Sequence, residues 1–320
     1  DYEPKQIATV SYTFATADAA SEEPIPPIYP TGSTTDALYV TVNQAFITSN
    51  GLTGKAKAGT YGLMDIKAAA DDLSANGVES QYYGLYQSLL DAQVMNGGVS
   101  GPGPYFQVKV GEHFLDLQLI GICQDFKTDG GNAGLTFQTK ELYASANAGN
   151  ATTDGSVFDC QLNPSNTNSG GWQQSSIRQR MRTTFWDRLD SSLQSRIVSV
   201  EKTHQLYGGI SSAYLQLTVD ETVWLPSMYE VFGDTSSGYN ESEQYGKGQY
   251  IPFHYLAYQG GDNLLSNTKA IKTFKGSIDF WSLRSAPRDN SLRFCYVQTD
   301  GTRAAIGAAY GRGIAPCFCL

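Results

Sequence analysis

Basic residues are scarce in this sequence. Lysine and arginine number 22 against 31 aspartates and glutamates, for a net charge of -9, and charged residues of both signs make up only 17% of the chain. Neutralising a nucleic-acid backbone takes clustered Lys and Arg. Here they are scattered, so no nucleic-acid partner is expected. No apolar run approaches the ~18 residues of a helical membrane span, so no membrane insertion is predicted. The first residues, Asp1-Tyr2-Glu3-Pro4, show no basic stretch followed by an apolar one. No signal peptide is therefore visible, although a mature, trimmed or leaderless protein shares this appearance.

Groups that carry chemistry are equally sparse. Histidine occurs three times, at His113, His204 and His254, far apart in sequence, and no HExxH, GxSxG, Walker A or GxGxxG motif is present. The five cysteines, Cys123, Cys160, Cys295, Cys317 and Cys319, are too few and too widely spaced for a disulfide scaffold and lack CxxC spacing. Buried free thiols are the favoured reading, with Cys317 and Cys319 on the same face of a strand. Asp154, Asp159, Asp220, Glu221 and Asp234 sit in loops without the spacing of a calcium loop, and solvated carboxylates are the commoner outcome. A carboxylate pair of the glycosidase kind meets only in three dimensions, and nothing in the sequence selects two. Neither a metal nor an organic cofactor is predicted, and catalysis has no positive support.

What is abundant is Gly, Ser, Thr, Asn and Tyr, with 33 glycines and 20 tyrosines. Binding surfaces favour that mix, because Tyr supplies contact area at low entropy cost and Ser, Gly and Asn adapt their hydrogen bonding. An ordinary loop-rich extracellular fold has the same composition. Residues 1–33 read as an extended, proline-rich arm, with four prolines between Pro24 and Pro30. Residues 34–103 read as a small α/β unit for attachment or oligomerisation. It has a strand at Ala37–Val42 and helices near 64–76 and 80–95, the second with a Tyr82, Leu85, Tyr86, Leu89, Leu90 stripe suited to a core or a subunit interface. Gly101-Pro102-Gly103-Pro104 marks the expected boundary. From there, strands at 106–110 and 114–122 meet at Gly111-Glu112. Helices follow near 174–183 and 190–198, the latter capped by Asp190, and the remainder is short strands between long polar loops.

Four segments of residues 104–320 carry a resemblance. They are Gly170-Gly171-Trp172 with Ser175-Ser176-Ile177-Arg178; Trp224-Leu225-Pro226-Ser227 with Glu230-Val231-Phe232-Gly233; Phe280-Trp281-Ser282-Leu283-Arg284-Ser285; and Phe294-Cys295-Tyr296-Val297, Asp300-Gly301 and Gly313–Cys319. In this order and spacing they resemble the DUF6273 family of gut bacteria and their phages, which is related to the C-type-lectin and formylglycine-generating-enzyme fold. The resemblance implies an α+β, C-type-lectin-like domain with long loops. One departure stands out: Ala315 occupies a place where family endings often carry Arg. Trp281 and Leu283 alternate with Ser282 and Arg284, so one pair can face the core and the other a surface or polar cluster. Arg284 suits a salt bridge or backbone carbonyls, Asp300-Gly301 suits a hairpin turn, and the strand from Ile314 to Leu320 should sit centrally.

Similar sequences include the targets of diversity-generating retroelements, which rewrite a C-terminal segment while its scaffold stays fixed. That likeness implies a variable surface over about 282–312, with ligand-contacting residues Ser282, Arg288, Asp289, Asn290, Leu292, Arg293, Tyr296, Gln298, Thr302, Arg303, Ile306, Tyr310 and Arg312. The expected function is non-enzymatic binding of a host cell-surface protein or glycan by a phage tail receptor-binding protein. Such a protein would act as a homotrimer in the virion, with its N-terminal region on other tail proteins. A bacterial surface or secreted adhesin is the alternative. An enzyme of the formylglycine-generating type is disfavoured, because Cys317 and Cys319 on a buried strand do not match its catalytic cysteine pair.

Overall fold

A computed structural model describes residues 25–95, 104–206, 215–233, 268–287 and 289–320. In chain order these form β1 (Leu38–Val42), α1 (Gln44–Ser49), β2 (Gly59–Gly62), α2 (Leu63–Asn76), α3 (Tyr83–Met95), β3 (Phe106–Val110), β4 (His113–Ile122) and β5 (Leu135–Thr139). Then come β6 (Ala144–Ser145), β7 (Ala151–Thr152), α4 (Ser176–Arg180), α5 (Ser191–Gln194), β8 (Val200–Gln205), β9 (Leu215–Glu221) and α6 (Met228–Phe232). The last elements are β10 (Lys272–Phe274), β11 (Ser277–Asp279), β12 (Trp281–Ser282), β13 (Arg293–Val297), β14 (Arg303–Gly307) and β15 (Cys317–Cys319). This mixture of short helices and antiparallel sheets is the predicted α+β class.

The main sheet has the order β15-β5-β4-β3-β1-β2. Its β3–β4 hairpin turns at Gly111, where φ is 60°, as the Gly-Glu pair predicts. One face carries Val40, Phe106, Leu117, Leu119, Phe137 and Phe318, all buried. It is covered by α2 and α3, and the rings of Tyr86, Phe106, Phe137 and Phe318 run through this layer with centroids 5.0–6.2 Å apart. The Tyr–Leu stripe of α3 is therefore core. At the β15 end, the opposite face carries Thr136, Gln138, Cys317 and Cys319, which the later part of the chain covers.

This topology corrects two expectations. Residues 34–103 are not a separate unit: β1 pairs with β3 and the buried apolar side chains form one cluster, so the sheet crosses the proposed boundary. The glycines and prolines at 97–103 lie outside the described residues. The arm is docked from Ile28 onward, where Ile28 exchanges backbone bonds with Lys55 and Lys57, and Thr31 bonds the Asp65 carboxylate. Residues 1–24 lie outside the described set.

Local signals were otherwise followed. Asp190 accepts from the Ser192 N–H at the start of α5, which is shorter than predicted. The α4 helix continues as a wide turn through Phe185. Strand β15 is flanked on both sides: it pairs with β5, while Val198 and Trp224 bond its other edge. At Ala315 the backbone carbonyl accepts from Gln138 Nε2 at 3.3 Å. All five cysteines are free and four are buried; Cys123 is half-buried.

Two close approaches shape the helical layer. Between Leu119 and Gly121 the β4–β5 register slips, and buried Gln93 of α3 accepts the Leu119 N–H at 2.7 Å. Opposite α2, a Cβ on Gly134 would lie 1.9 Å from the Ala70 carbonyl oxygen. Because that obstacle is helix backbone, Gly134→Ala is expected to cost about 2–3 kcal/mol. Urea unfolding against the unsubstituted chain measures it.

Candidate ligand-binding surface

The surface predicted to contact ligand rests on a buried charge cluster. Ser227 caps α6 through the Glu230 N–H, and the Glu230 carboxylate returns to the Ser227 N–H, a reciprocal cap that fixes the glutamate. Glu230 then pairs with Lys202 of β8 at 3.0 Å and with Arg284 just beyond β12, and Lys202 also pairs with Asp125. Arg284 donates further to the carbonyls of Thr203 and Leu225, each at 2.9 Å, so it makes both the salt bridge and the backbone contacts foreseen for it. The Lys202 ammonium lies 4.4 Å from the Trp224 ring centroid.

No member of this cluster is more than 6% exposed. Burial opposes charge on Glu230, yet Arg284 and Lys202 hold its carboxyl far below the usual range. Burial likewise opposes charge on Lys202, and Asp125 and Glu230 raise its affinity for a proton nevertheless. Burial pushes the adjacent Cys317 and Cys319 thiols well up, so they stay protonated and weakly nucleophilic. The cluster is sealed and internally paired, which makes it an anchor for segments distant in sequence.

The Gly-Gly-Trp and Ser-x-x-Arg elements build a second anchor. Gly170 and Gly171 both adopt positive φ, Trp172 is buried, and Ser175 caps α4. Trp172 Nε1 and Arg178 Nε both donate to Glu221 Oε1. That contact removes Glu221 from the calcium candidates. Asp154 is held by Thr152, Ser156 and Arg188, Asp159 by Arg180, and Asp220 by Ser199 and Arg182; Asp234 lies outside the described residues. Among the described residues, no three His, Cys, Asp or Glu side chains are grouped to hold a metal ion.

Above these anchors stands the β12–β13–β14 sheet. Its hairpin turns at Gly301, where φ is 80°, with the Gly301 N–H bonded to the Gln298 carbonyl and the Gln298 N–H to Thr302. The Asp-Gly signal thus produces a three-residue turn with glycine in the left-handed position. An asparagine-bearing loop braces the sheet. Buried Asn168 donates through Nδ2 to the carbonyls of Asn290 and Arg293, Asn166 accepts the Ala309 N–H, and the Asn163 N–H bonds the Ala308 carbonyl. Nothing in a polar loop sequence marks these residues as a bracket, and sequence reasoning missed them.

The predicted contact residues separate by position. Asp289, Leu292, Arg293 and Tyr310 are exposed, with Leu292 at 51% and Tyr310 at 58%. Asn290, Tyr296, Gln298, Thr302, Arg303, Ile306 and Arg312 are half-buried, and Arg288 lies outside the described residues. Ser282 corrects the prediction: it is fully buried, because both faces of the two-residue β12 are covered. Gln298 and Thr302 bond each other within the turn, and Asn290 shapes its loop by accepting the Leu292 N–H. The register puts Tyr296 opposite Ala304 and Phe294 opposite Ile306 on one face, with Arg293 and Arg303 on the other. The Arg312 guanidinium lies 5.1 Å from the Phe280 ring and 4.9 Å from the Tyr296 ring, which adds Phe280 to the surface. A cleft of about 820 Å³, lined by residues of 25–28, 52–56 and 78–85, includes none of these positions.

The family model described as "Domain of unknown function (DUF6273)" matches residues 146–320, more than half of the chain. The chain belongs to the DUF6273 family. The match takes in both DUF6273 anchors except Asp125, together with the hairpin and its asparagine bracket. Searches of curated proteins and of solved structures returned no match.

Two outcomes test the anchors. Glu230→Gln leaves Lys202 and Arg284 short of a buried counter-charge, and unfolding free energy is expected to drop by about 3–5 kcal/mol in urea titration. His204 is fully buried with neither ring nitrogen hydrogen-bonded, and burial, then Arg284 and Arg178, lower its pKa to about 3. Between pH 6.5 and 3 the unfolded chain therefore binds this proton and the folded chain does not, so stability falls as pH falls. The expected slope is about 1.4 kcal/mol per pH unit, and His204→Gln should flatten it in melts between pH 6.5 and 4.5.

Proposed function

We propose that this protein is a non-enzymatic receptor-binding protein of a phage tail. In this reading a C-type-lectin-like domain offers the surface of residues 282–312 to a protein or glycan on the host cell. One observation carries the reading, the division of that segment between buried motif residues and accessible residues between them. Trp281, Leu283, Arg284, Phe294, Cys295 and Ile314 are no more than 1% exposed. Asp289, Leu292, Arg293, Asp300 and Tyr310 are exposed. A scaffold held from within leaves its outer side chains free to vary, which a diversified binding surface requires.

The chemistry of the accessible positions supports the same role. Exposed Tyr310, with Arg293 and Arg303, is of the residue types enriched among contact hot spots, and exposed Leu292 adds apolar contact area. Two helices on one face of an antiparallel sheet, followed by loops and a small second sheet, agree with the C-type-lectin-like reading. Modest affinity at each site would gain from several copies, so a homotrimer attached through its N-terminal region completes the proposal.

Deep sequencing of the codons for residues 280–320 across a natural population tests the reading. Substitutions concentrated between the buried motif residues, chiefly at adenine-derived positions, are expected; an even or silent spread would sink it. On a host cell that the protein labels, Leu292→Ser and Tyr310→Ser should each weaken binding by about tenfold with the melting temperature unchanged. Unaltered labelling by both variants would move the contact surface elsewhere.

A further inference from the structure

Arg178, Arg180, Arg182, Arg188 and Arg284 each pair with a carboxylate, whereas half-buried Arg312 pairs with none among the described residues. A guanidinium carries five N–H groups. On Arg312, one of those on Nη1 donates to the Gly311 carbonyl at 2.9 Å. Nε is buried without an acceptor, and Nη2 makes no hydrogen bond among the described residues. The carboxylate next in sequence to Phe280, that of Asp279, is buried and held by Ser145 and Asn147. A partly desolvated cation without a counter-charge is unfavourable, and a counter-charge brought by a ligand relieves it.

Backbone bonds fix where this guanidinium stands. The Gly313 N–H donates to the Phe280 carbonyl at 2.8 Å, and the Ser282 N–H to the Gly313 carbonyl at 2.9 Å, which sets residue 312 alongside Phe280. Ser282 in turn pairs with Tyr296 of β13. The Phe280 and Tyr296 rings meet with centroids 5.8 Å apart and planes at 63°, and the guanidinium lies over both. Both rings are half-buried. Ring faces attract the cation and orient it, but they leave its N–H edge without acceptors.

We propose that Arg312 is the carboxylate receptor of this surface, and that the ligand is a protein presenting an aspartate or glutamate side chain to the corner of Arg312, Phe280 and Tyr296. The second N–H of Nη1 and one N–H of Nη2 form the parallel fork that a carboxylate accepts bidentately. A protein fits this surface better than an acidic sugar does. Leu292, at the start of the same hairpin, is 51% exposed and offers apolar area that a hydroxyl-covered sugar has little to match. The inference rests on the receptor-binding reading and names the chemistry its ligand must carry.

The role depends on the shape of the cation as well as on its charge. Lysine at this position keeps the charge and loses the planar fork, so R312K separates orientation from simple attraction. Arg312 makes one hydrogen bond, to the carbonyl of its own neighbour, and no ion pair among the described residues, so its replacement removes little that holds the fold.

Chemical-shift titration of the full chain with N-acetylglutamate methylamide tests the site, followed at the Arg312 Nε–H and Tyr296 amide resonances. N-acetylglutamine methylamide is the neutral counterpart. A saturable shift is expected with the glutamate probe, at least about tenfold tighter than with the glutamine probe, about tenfold weaker in R312Q and intermediate in R312K. Circular dichroism establishes that each variant is folded; should R312Q fail to fold, the preference for glutamate over glutamine decides alone. No saturable shift, or equal affinity for the two probes, would overturn the carboxylate role. Methyl glucuronide bound more tightly than the glutamate probe would overturn the choice of a protein ligand. On a labelled host cell, undiminished labelling by R312Q beside weakened Leu292→Ser and Tyr310→Ser would remove Arg312 and leave the receptor-binding reading standing.

Discussion

The structure depends on a charge network that water cannot reach. Asp125 follows β4, Lys202 comes from β8, Glu230 from α6 and Arg284 from the exit of β12, and they meet beside β15. A buried ion pair contributes little to stability against an apolar replacement, yet removing one partner is severe. Its value here is geometric. Long loops with few regular elements have little to fix their paths, and each charge must find a particular partner or remain unsolvated. The network thereby specifies where four remote segments lie.

The legible parts of the sequence were those with local signals. The α3 periodicity, the Gly111 turn, the Asp190 cap and the Asp300-Gly301 hairpin each occupy a short stretch of sequence and each appears in the structure. Pairing between distant segments was less readable. Gly and Pro near 101–104 suggested a boundary, while the β1–β3 pairing that joins the sheet leaves no mark in either strand alone. Asp125 and Lys202 sit in unremarkable contexts, although the Ser227-x-x-Glu230 box was available as a sign that Glu230 is held at a helix start. Ser282 was counted as a contact residue through the likeness to diversified segments, while strand alternation left it to a surface or a polar cluster; a short strand covered on both faces buries it.

Site and scaffold are separated along the chain at intervals of one or two residues. In β13, buried Phe294 and Cys295 stand beside exposed Arg293 and half-buried Tyr296. Hydrogen bonds from the Asn168 side-chain amide to the backbone carbonyls of Asn290 and Arg293 do not depend on which side chains those two positions carry. Loop shape can persist while loop chemistry changes, the property that a rewritten binding surface needs.

The pairing of β5 with β15 bears on how the protein reaches this state. Buried Thr136 and Cys319 touch across 183 residues of chain, so closing the sheet carries a large loop entropy and belongs to the slow class of non-local contacts. Without β15, β5 presents an unpaired edge. A chain without that pairing carries an unpaired strand edge of the kind that favours aggregation, so the yield of native protein is a matter of rate as much as of equilibrium.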